Sequence, residues 1–131
     1  VPRPIAQNRH VVVMGLIRGL ELNDVGEIDR PEIVLNNILF NVRKAYLEAR
    51  LIHGDLSEFN VLVRTNGTVQ IIDWPQSVRA DHPNAASLLR RDVENVLRFF
   101  RRRFRTVYDV ESVINYLTGH SRKLRAAARQ K

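Results

Sequence analysis

Three oxygen-bearing side chains, Asp55, Asn60 and Asp73, stand beside short apolar runs in the stretch LIHGDLSEFNVLVRTNGTVQIIDWPQSV. Asp55 and Asn60 bracket a loop that enters the run NVLV, and Asp73 follows the run VQII. The Asn66-Gly67 pair between the runs predicts two antiparallel strands with a tight two-residue turn, which brings Asn60 and Asp73 near one another at the open end. Carboxylate and carboxamide oxygens there suit Mg²⁺, which keeps waters and takes substrate phosphates as further ligands.

Asp55 lies a few residues before the expected metal ligands, where it can accept a proton from an attacking hydroxyl group or orient that group. Because a metal would neutralise phosphate charge, the arrangement predicts phosphoryl transfer. The alternative is structural, since a lone Asp in a loop is usually a cap or a turn residue. The whole spacing, H-x-D-x-x-x-x-N and then a strand pair that ends in I-D, matches a catalytic-loop and metal-loop pattern and favours the chemical interpretation.

Composition limits the class of protein. The chain has 131 residues, of which 44% are hydrophobic, and this is typical of one globular domain with a real core. It has no Cys, which excludes disulfides, thiolate metal sites and Cys nucleophiles. The longest apolar run, Val11 to Ile17, is too short to cross a bilayer, and no signal-peptide pattern opens the chain. We therefore expect a cytoplasmic protein without a membrane partner. Because the chain begins at Val1 rather than at a Met, we also expect it to be a piece of a longer protein.

The positive charge is concentrated late in the chain. The formal net charge is +7, and much of the excess lies in RRRFR (Arg101 to Arg105) and in the terminal SRKLRAAARQK. Such an excess suggests an anionic partner. Two interpretations stay open here, a solvated helix face with a terminal tail or a surface that contacts nucleic-acid phosphates, because no base-reading motif accompanies the charge.

The clearest helix follows Asp29 and has Pro31 in its first turn. Apolar residues then recur at helical spacing to about Arg50. They are Ile33, Leu35, Ile38, Leu39, Val42, Tyr46 and Ala49.

The remaining elements are shorter or more polar. SLLRRDVENVLRFFRRRF predicts a second amphipathic helix, and TVYDVESVINYL a third with Asp109 as N-cap and Gly119 as stop. VPRPIAQN reads as an extended lead-in, RHVVVM as a short buried strand and GLIRGLELNDVGEI as a connector. The prediction is an α+β fold that is mostly helical and carries one small β-hairpin.

Two other polar residues have structural interpretations. His53 is expected to be a buried histidine bonded to loop backbone rather than a catalytic base. Asp92 lies within the second helix and is either a surface acid or, as we prefer, a carboxylate that accepts hydrogen bonds from the amides of the loop after His53.

The motifs IHGDLSEFNVLV, IIDWPQSV, DHPNA and LLRRDVENVLRFF together resemble the RIO family of atypical protein kinases, and PIAQNRHVVVM resembles its branch with an N-terminal winged-helix domain. The resemblance covers nearly the whole chain. It implies that Asp55 is the catalytic Asp, that Asn60 binds a metal, and that Asp73 is both a metal ligand and a transient acceptor of the phosphoryl group. The implied cofactors are ATP and Mg²⁺ or Mn²⁺.

The resemblance also implies which residues contact the nucleotide base. Met14 matches the gatekeeper of a kinase hinge, so the Gly15 C=O and the Ile17 N–H are expected to contact adenine. The resemblance leads us to expect an acidic residue at the position of Gly15. Because the contact to adenine is made by the backbone carbonyl, a glycine can still make it, but the hinge becomes more flexible.

Three differences from ordinary protein kinases bear on mechanism. Gly54 stands where those kinases have Arg before the catalytic Asp, which argues against switching by an activation-loop phosphate, and no A-P-E segment follows Asp73. No Gly-rich loop or V-A-I-K-type lysine precedes Val11. The resemblance thus implies an archaeal-like, protein-kinase-like C-terminal lobe with the N-terminal lobe absent, and little phosphotransfer by this piece alone. Its expected parts are 1–19 (last N-lobe strand and hinge), 20–119 (catalytic lobe) and 120–131 (basic tail).

Three functions remain in competition. The first is the catalytic lobe of a RIO-type ATP-dependent serine/threonine kinase or ATPase in small ribosomal subunit maturation, with ATP and rRNA of the pre-ribosomal small subunit as partners. The second is a small-molecule kinase of the aminoglycoside or choline type, which also shows H-G-D and I-D-W. LSEFN lacks the second His that those families place after the catalytic Asp. The third is a non-catalytic RNA- or ribosome-binding module.

Overall fold

The computed structural model describes residues 19–122 and residue 124. In chain order the strands are β1 (Gly19–Glu21), β2 (Leu51–Ile52), β3 (Val61–Arg64), β4 (Val69–Ile71) and β5 (Val78–Arg79). The α-helices are α1 (Pro31–Lys44), α2 (Ala85–Phe104) and α3 (Val110–Leu117). The predicted N-terminal strand and the adenine contacts Met14, Gly15 and Ile17 lie outside the described residues.

Helix α1 begins with Pro31 at its first position, where a missing N–H costs nothing, and Glu32 lies in the first turn. Its buried side chains are Val34, Leu35, Ile38, Leu39 and Val42. Four of them belong to the predicted apolar stripe, whereas Ile33 and Ala49 are exposed and Tyr46 is half-buried. The chain then continues through one π-helical turn, Ala45–Ala49, and Arg50 adopts a left-handed conformation that ends it. The predicted end near Arg50 is confirmed, although the last turn is not α-helical.

The predicted hairpin consists of β3 and β4, which pair antiparallel with Val61 opposite Ile71 and Val63 opposite Val69. Its turn has three residues rather than the predicted two, because the N–H of Arg64 donates to the carbonyl of Thr68 at 2.9 Å. The N–H of Gly67 also donates to the carbonyl of Arg64, and Gly67 has a φ of +88°. A type I turn followed by a left-handed glycine gives this loop length.

The segment predicted to be a connector contains a strand. Strand β1 pairs antiparallel with β3, with Gly19 opposite Arg64 and Glu21 opposite Leu62, so the sheet order is β1-β3-β4. The connector prediction was wrong because Gly19–Glu21 has no apolar alternation, and the strand forms through backbone bonds to β3. A second, two-stranded sheet joins β2 to β5.

Helix α2 buries one apolar face and exposes the arginines at its C-terminal end, as predicted. Asp109 caps α3 by accepting a hydrogen bond of 2.9 Å from the N–H of Ser112, and Gly119 follows the helix with a φ of +86°. The core lies between the helices, with α1 packed against β4, α2 and α3. Its fully buried side chains include Leu22, Leu35, Ile38, Leu39, Ile52, Leu56, Val61, Val93, Val96, Phe100, Val113 and Leu117.

The helices of the described part of the chain include none with both the length and the apolar character needed to cross a bilayer.

Candidate active site

Asn60 closes the loop of residues 53–60, hereafter the site loop. Its side chain is buried, its Nδ2 donates to the carbonyl of Asp55 at 2.9 Å, and its Oδ1 accepts from the N–H of Ser57 at 2.8 Å. The N–H of Asn60 also donates to the carbonyl of Ser57 at 3.2 Å. These contacts fold the loop back on itself just before β3 begins, so Asn60 is a structural part of the loop as well as a candidate ligand.

Asp55 presents an exposed carboxylate on a fixed backbone. Its N–H donates to Nδ1 of His53 at 3.2 Å, and its carbonyl accepts the bond from Asn60. Within residues 19–122 the structure shows no hydrogen bond or ion pair to the Asp55 carboxylate. The carboxylate therefore faces solvent from a main chain that is held on both sides.

His53 is buried and bridges the site loop to the end of β4, which confirms its structural assignment. Its Nε2 lies 2.7 Å from the carbonyl oxygen of Ile72. Since Nδ1 accepts the N–H of Asp55, the ring proton must be on Nε2, which donates to Ile72. The ring also packs edge-on against Trp74, with centroids 5.0 Å apart.

Asp73 lies immediately beyond the pairing of the two hairpin strands. The N–H of Ile72 donates to the carbonyl of Asn60 at 2.9 Å, so Asp73 directly follows the residue opposite Asn60, as the hairpin prediction required. Asp73 is exposed and has a left-handed φ of +64°. Such a backbone is uncommon outside glycine and is held here by the 3₁₀ turn Trp74–Gln76, whose Trp74 Nε1 donates to the carbonyl of Ile71 at 2.8 Å.

Asp92 of α2 binds two backbone amides of the site loop. It is 1% exposed, and its two carboxylate oxygens accept the N–H of Gly54 at 2.8 Å and the N–H of Leu56 at 3.0 Å. Burial raises the pKa of the Asp92 carboxyl above its ordinary value, although the two backbone bonds and the nearby Arg91 act in the opposite direction. The prediction that Asp92 bonds the loop amides is confirmed.

Two neighbours of Asp92 were missed from the sequence. The Nη2 of Arg91 donates to the carbonyl of Gly54, and the Nδ2 of Asn95 lies 3.4 Å from the carbonyl of Leu56. The available signal was the helical spacing of Asp92 and Asn95, which puts two polar residues on one face of an otherwise apolar stripe. Helix α2 therefore bonds both the N–H and C=O groups on either side of Asp55.

Gly54 is required by the backbone geometry. Its φ is +88°, and a Cβ added there would lie 3.2 Å from the carbonyl oxygen of Gln76. A residue with a side chain would be strained at this position whatever its charge. The absence of an Arg before Asp55 thus follows from the close approach of the site loop to the turn after Asp73.

Taken together, Asp55, Asn60 and Asp73 belong to one connected network through His53 and the Asn60–Ile72 pairing. Among the described residues no group of three or more His, Asp or Glu side chains could hold a metal ion. Besides the Asp55 carboxylate, the oxygens that could bind a metal are the exposed carboxylate of Asp73 and the carboxamide oxygen of Asn60. That amide oxygen retains a second lone pair besides the one used by Ser57.

Comparison with known proteins gives a consistent family. The RIO domain model matches residues 1–113. The chain is 42% identical over 127 residues to the RIO-type serine/threonine-protein kinase Rio2 of Methanocaldococcus jannaschii, covering 90% of this chain and 47% of that protein. It is 38% identical over 124 residues to the RIO-type serine/threonine-protein kinase Rio1 of Haloferax volcanii, covering 91% of this chain and 41% of that protein.

A eukaryotic relative, the serine/threonine-protein kinase rio2 of Schizosaccharomyces pombe, is 36% identical over 110 residues, covering 84% of this chain and 32% of that protein. The chain thus spans less than half of the length of these relatives. Relatives of both the Rio1 and the Rio2 type match the chain. The assignment to the branch with an N-terminal winged-helix domain therefore stays a prediction. The chain belongs to the RIO family, whose matching members are named serine/threonine-protein kinases.

Proposed function

We propose that this chain is the catalytic lobe of an ATP-dependent serine/threonine kinase or ATPase of the RIO type. The observation that carries the proposal is the site loop itself, where the exposed Asp55 carboxylate stands on a backbone bonded to His53 and Asn60. A reacting group gains most from such an arrangement when its neighbours do not have to reorganise during the reaction.

Asp55 would accept the proton of the attacking hydroxyl group, or orient that group, while the α2 contacts keep the loop in place. Its exposure supports this role because the carboxylate is accessible to a substrate. The bonds from Asp92 to the amides of Gly54 and Leu56 support it further, since they fix the two residues that flank Asp55.

Asn60 and Asp73 would hold Mg²⁺ or Mn²⁺, with waters and nucleotide phosphates as the other ligands. The donor set fits a hard cation, because Asp73 is exposed and the Asn60 oxygen retains an accepting lone pair. When bound, the ion neutralises charge on the transferred phosphoryl group. The nucleotide base would contact Gly15 and Ile17 beside Met14, as predicted from the sequence.

Asp73 has a second role in the same proposal. One of its carboxylate oxygens would form a bond to the γ-phosphorus of ATP as the bond to ADP breaks, and water would then hydrolyse the aspartyl phosphate. This sequence amounts to an ATPase cycle. Its support is the exposed carboxylate, held at the end of β4 in an uncommon backbone conformation.

The proposed biological setting is small ribosomal subunit maturation in the cytoplasm, with rRNA as a partner. Its support is the positive charge of the chain and the exposed arginines late in α2, Arg98, Arg101 and Arg102. Phosphate contacts made by such residues would weaken steeply with added salt.

The test measures ATP hydrolysis and self-phosphorylation by the full-length protein with Mg²⁺. We expect Asp55→Asn and Asp73→Asn each to lower turnover at least 100-fold, within the range found for acid–base groups. Asp81→Asn is the matched control, since Asp81 is also exposed but pairs with Arg79 on the surface. Hydroxylamine should release phosphate from an Asp73 adduct. Parental turnover by both site variants would contradict the proposal.

A further inference from the structure

We propose that a groove beside the site loop binds single-stranded RNA, with a base stacked on Phe59 and phosphates on Arg98 and Arg102. This groove, the basic groove below, has a volume of about 550 Å³ and lies between the site loop and the C-terminal half of α2. Its lining also includes Asn23, Phe99 and Arg103. The inference rests on the RNA partner of the proposed function but does not require phosphoryl transfer.

Phe59 supplies an aromatic surface on a fixed backbone. Its side chain is 55% exposed, although Asn60 beside it is buried. The N–H of Phe59 lies 3.2 Å from the Oγ of Ser57, and Asn60 closes the loop on the other side. An exposed ring on a restrained main chain offers a face for a base without first ordering a mobile segment.

Arg98 and Arg102 supply the positive charge. They are four residues apart on α2, so their side chains lie on the same face one turn apart, and both are exposed. Neither belongs to an ion pair within residues 19–122, where the pairs are Arg30–Glu32, Arg79–Asp81 and Arg90–Glu111. Arg98 has one neutral partner, the Oδ1 of Asn95 at 3.3 Å. Both guanidinium groups therefore remain available to phosphates.

Arg103 has a different task in the basic groove. Its Nη1 donates to the carbonyls of Asn23 at 3.2 Å and Val25 at 2.9 Å, and its guanidinium lies 4.8 Å from the centre of the Phe99 ring. These contacts make Arg103 part of the groove wall, joining α2 to the segment after β1. One acid, Glu58, also lines the groove, and the three arginines outweigh it.

The exposed Phe59 ring and the neighbouring arginines together favour single-stranded RNA over other anionic ligands of the basic groove. An acidic peptide would engage the arginines but would gain little from an exposed ring beside them. A duplex keeps its base faces stacked inside the helix, so a ring at the groove edge cannot reach them. A single strand presents both unstacked bases and closely spaced phosphates, which matches one aromatic residue flanked by arginines.

The test is fluorescence anisotropy of a labelled mixed-sequence RNA of about 10 nucleotides, a length within the range of small single-strand sites, titrated with the full-length protein. We expect Phe59→Ala to weaken binding about tenfold, as loss of one stacked base does. The double variant Arg98→Gln/Arg102→Gln should also reduce the log–log salt slope by about 1.4, from about 0.7 for each lost phosphate contact on a single strand.

Helix α1 offers matched controls. Phe40 is 48% exposed and has the Nζ of Lys44 5.8 Å from its ring centre, and neither residue lines the basic groove. Phe40→Ala and Lys44→Gln should therefore bind RNA within about twofold of the parent. The midpoint of thermal unfolding of each variant shows that it is folded.

Equal RNA affinity of the groove variants and the controls would overturn the inference, as would equally tight binding of duplex RNA or of an acidic peptide at the same groove residues. ATP turnover is measured separately on Arg102→Gln. The inference is supported if Arg102→Gln retains ATP turnover and RNA binding is lost only in the groove variants. RNA binding unaffected by groove changes, with turnover intact, overturns this inference alone. Turnover absent from the parent overturns the proposed phosphotransfer alone.

Discussion

The carboxylate of Asp92 accepts a hydrogen bond of 2.8 Å from the backbone N–H of Gly54, a residue 38 positions earlier in the chain. With the second bond, from the N–H of Leu56, this contact ties the middle of α2 to both sides of Asp55. The position of the candidate catalytic carboxylate is therefore set by the packing of a helix. A change at Asp92 is expected to affect Asp55 through the loop amides that Asp92 bonds.

Asp92→Asn should destabilise the protein by about 1.5–3 kcal/mol, because the amide offers one accepting oxygen for two N–H donors and leaves one of them buried without a partner. Urea unfolding measures this loss. Glu94→Gln, an exposed change on the same helix, is the control and should alter the unfolding free energy by less than about 0.5 kcal/mol. Equal stability of the two variants would show that the Asp92 bonds contribute nothing.

The stability of the protein should also depend on pH through Asp92. Burial raises the pKa of this carboxyl in the folded state, so the ionised form costs stability at higher pH. That cost disappears as the pH falls from the raised pKa towards the ordinary value of 3.8. The unfolding free energy of the parent minus that of Asp92→Asn should therefore increase as the pH falls through this range. A difference that decreases on acidification would contradict this assignment.

Gly54→Ala should destabilise the protein by about 1–3 kcal/mol, since the new Cβ meets the carbonyl of Gln76 and the φ of +88° disfavours any side chain. Gly26→Ala is the matched control. No atom lies within 4 Å of a Cβ added at Gly26, and its φ is outside the left-handed region, so it should leave stability unchanged or raise it slightly. Thermal unfolding of both variants distinguishes them, and an equal midpoint for the two would be unexpected.

His53 should be the neutral tautomer with its proton on Nε2. The N–H of Asp55 requires an accepting Nδ1, and the carbonyl of Ile72 requires a donor on Nε2. Nitrogen-15 NMR of the imidazole ring reports which nitrogen carries the proton. A proton found on Nδ1 at neutral pH would show that the contact between His53 and the Asp55 N–H is not a hydrogen bond.

Local patterns predicted a large part of this fold. The stripe of α1, the cap at Asp109, the hairpin around Gly67 and the buried face of α2 each depend on residues close in sequence, so their periodicity or turn chemistry indicated them. The length of the hairpin turn was the exception, with three residues instead of the predicted two. The structural roles of His53 and Asp92 were also predictable, since a buried polar group needs a partner and the adjacent loop offers backbone groups.

Features that depend on distant parts of the chain were not predicted. Strand β1 exists because β3 provides a backbone edge for it, and the exposed Leu20 within it breaks the usual apolar alternation. The bond from Arg91 to the carbonyl of Gly54 requires α2 to dock on the site loop in one orientation. Neither feature has a signal in local spacing, because the partner is determined by tertiary packing.

In the proposed function, Asp55, Asn60 and Asp73 surround one divalent ion with its nucleotide. The most direct test is NMR of the full-length protein with Mn²⁺ and a non-hydrolysable ATP analogue, with Mg²⁺ as the diamagnetic control. Mn²⁺ should broaden the amide resonances of Asp55, Asn60, Asp73 and their immediate neighbours more than those of the rest of the molecule, and Asp73→Asn should abolish the effect. Broadening centred on another part of the molecule, with these three resonances unchanged, would contradict the proposed metal and nucleotide site.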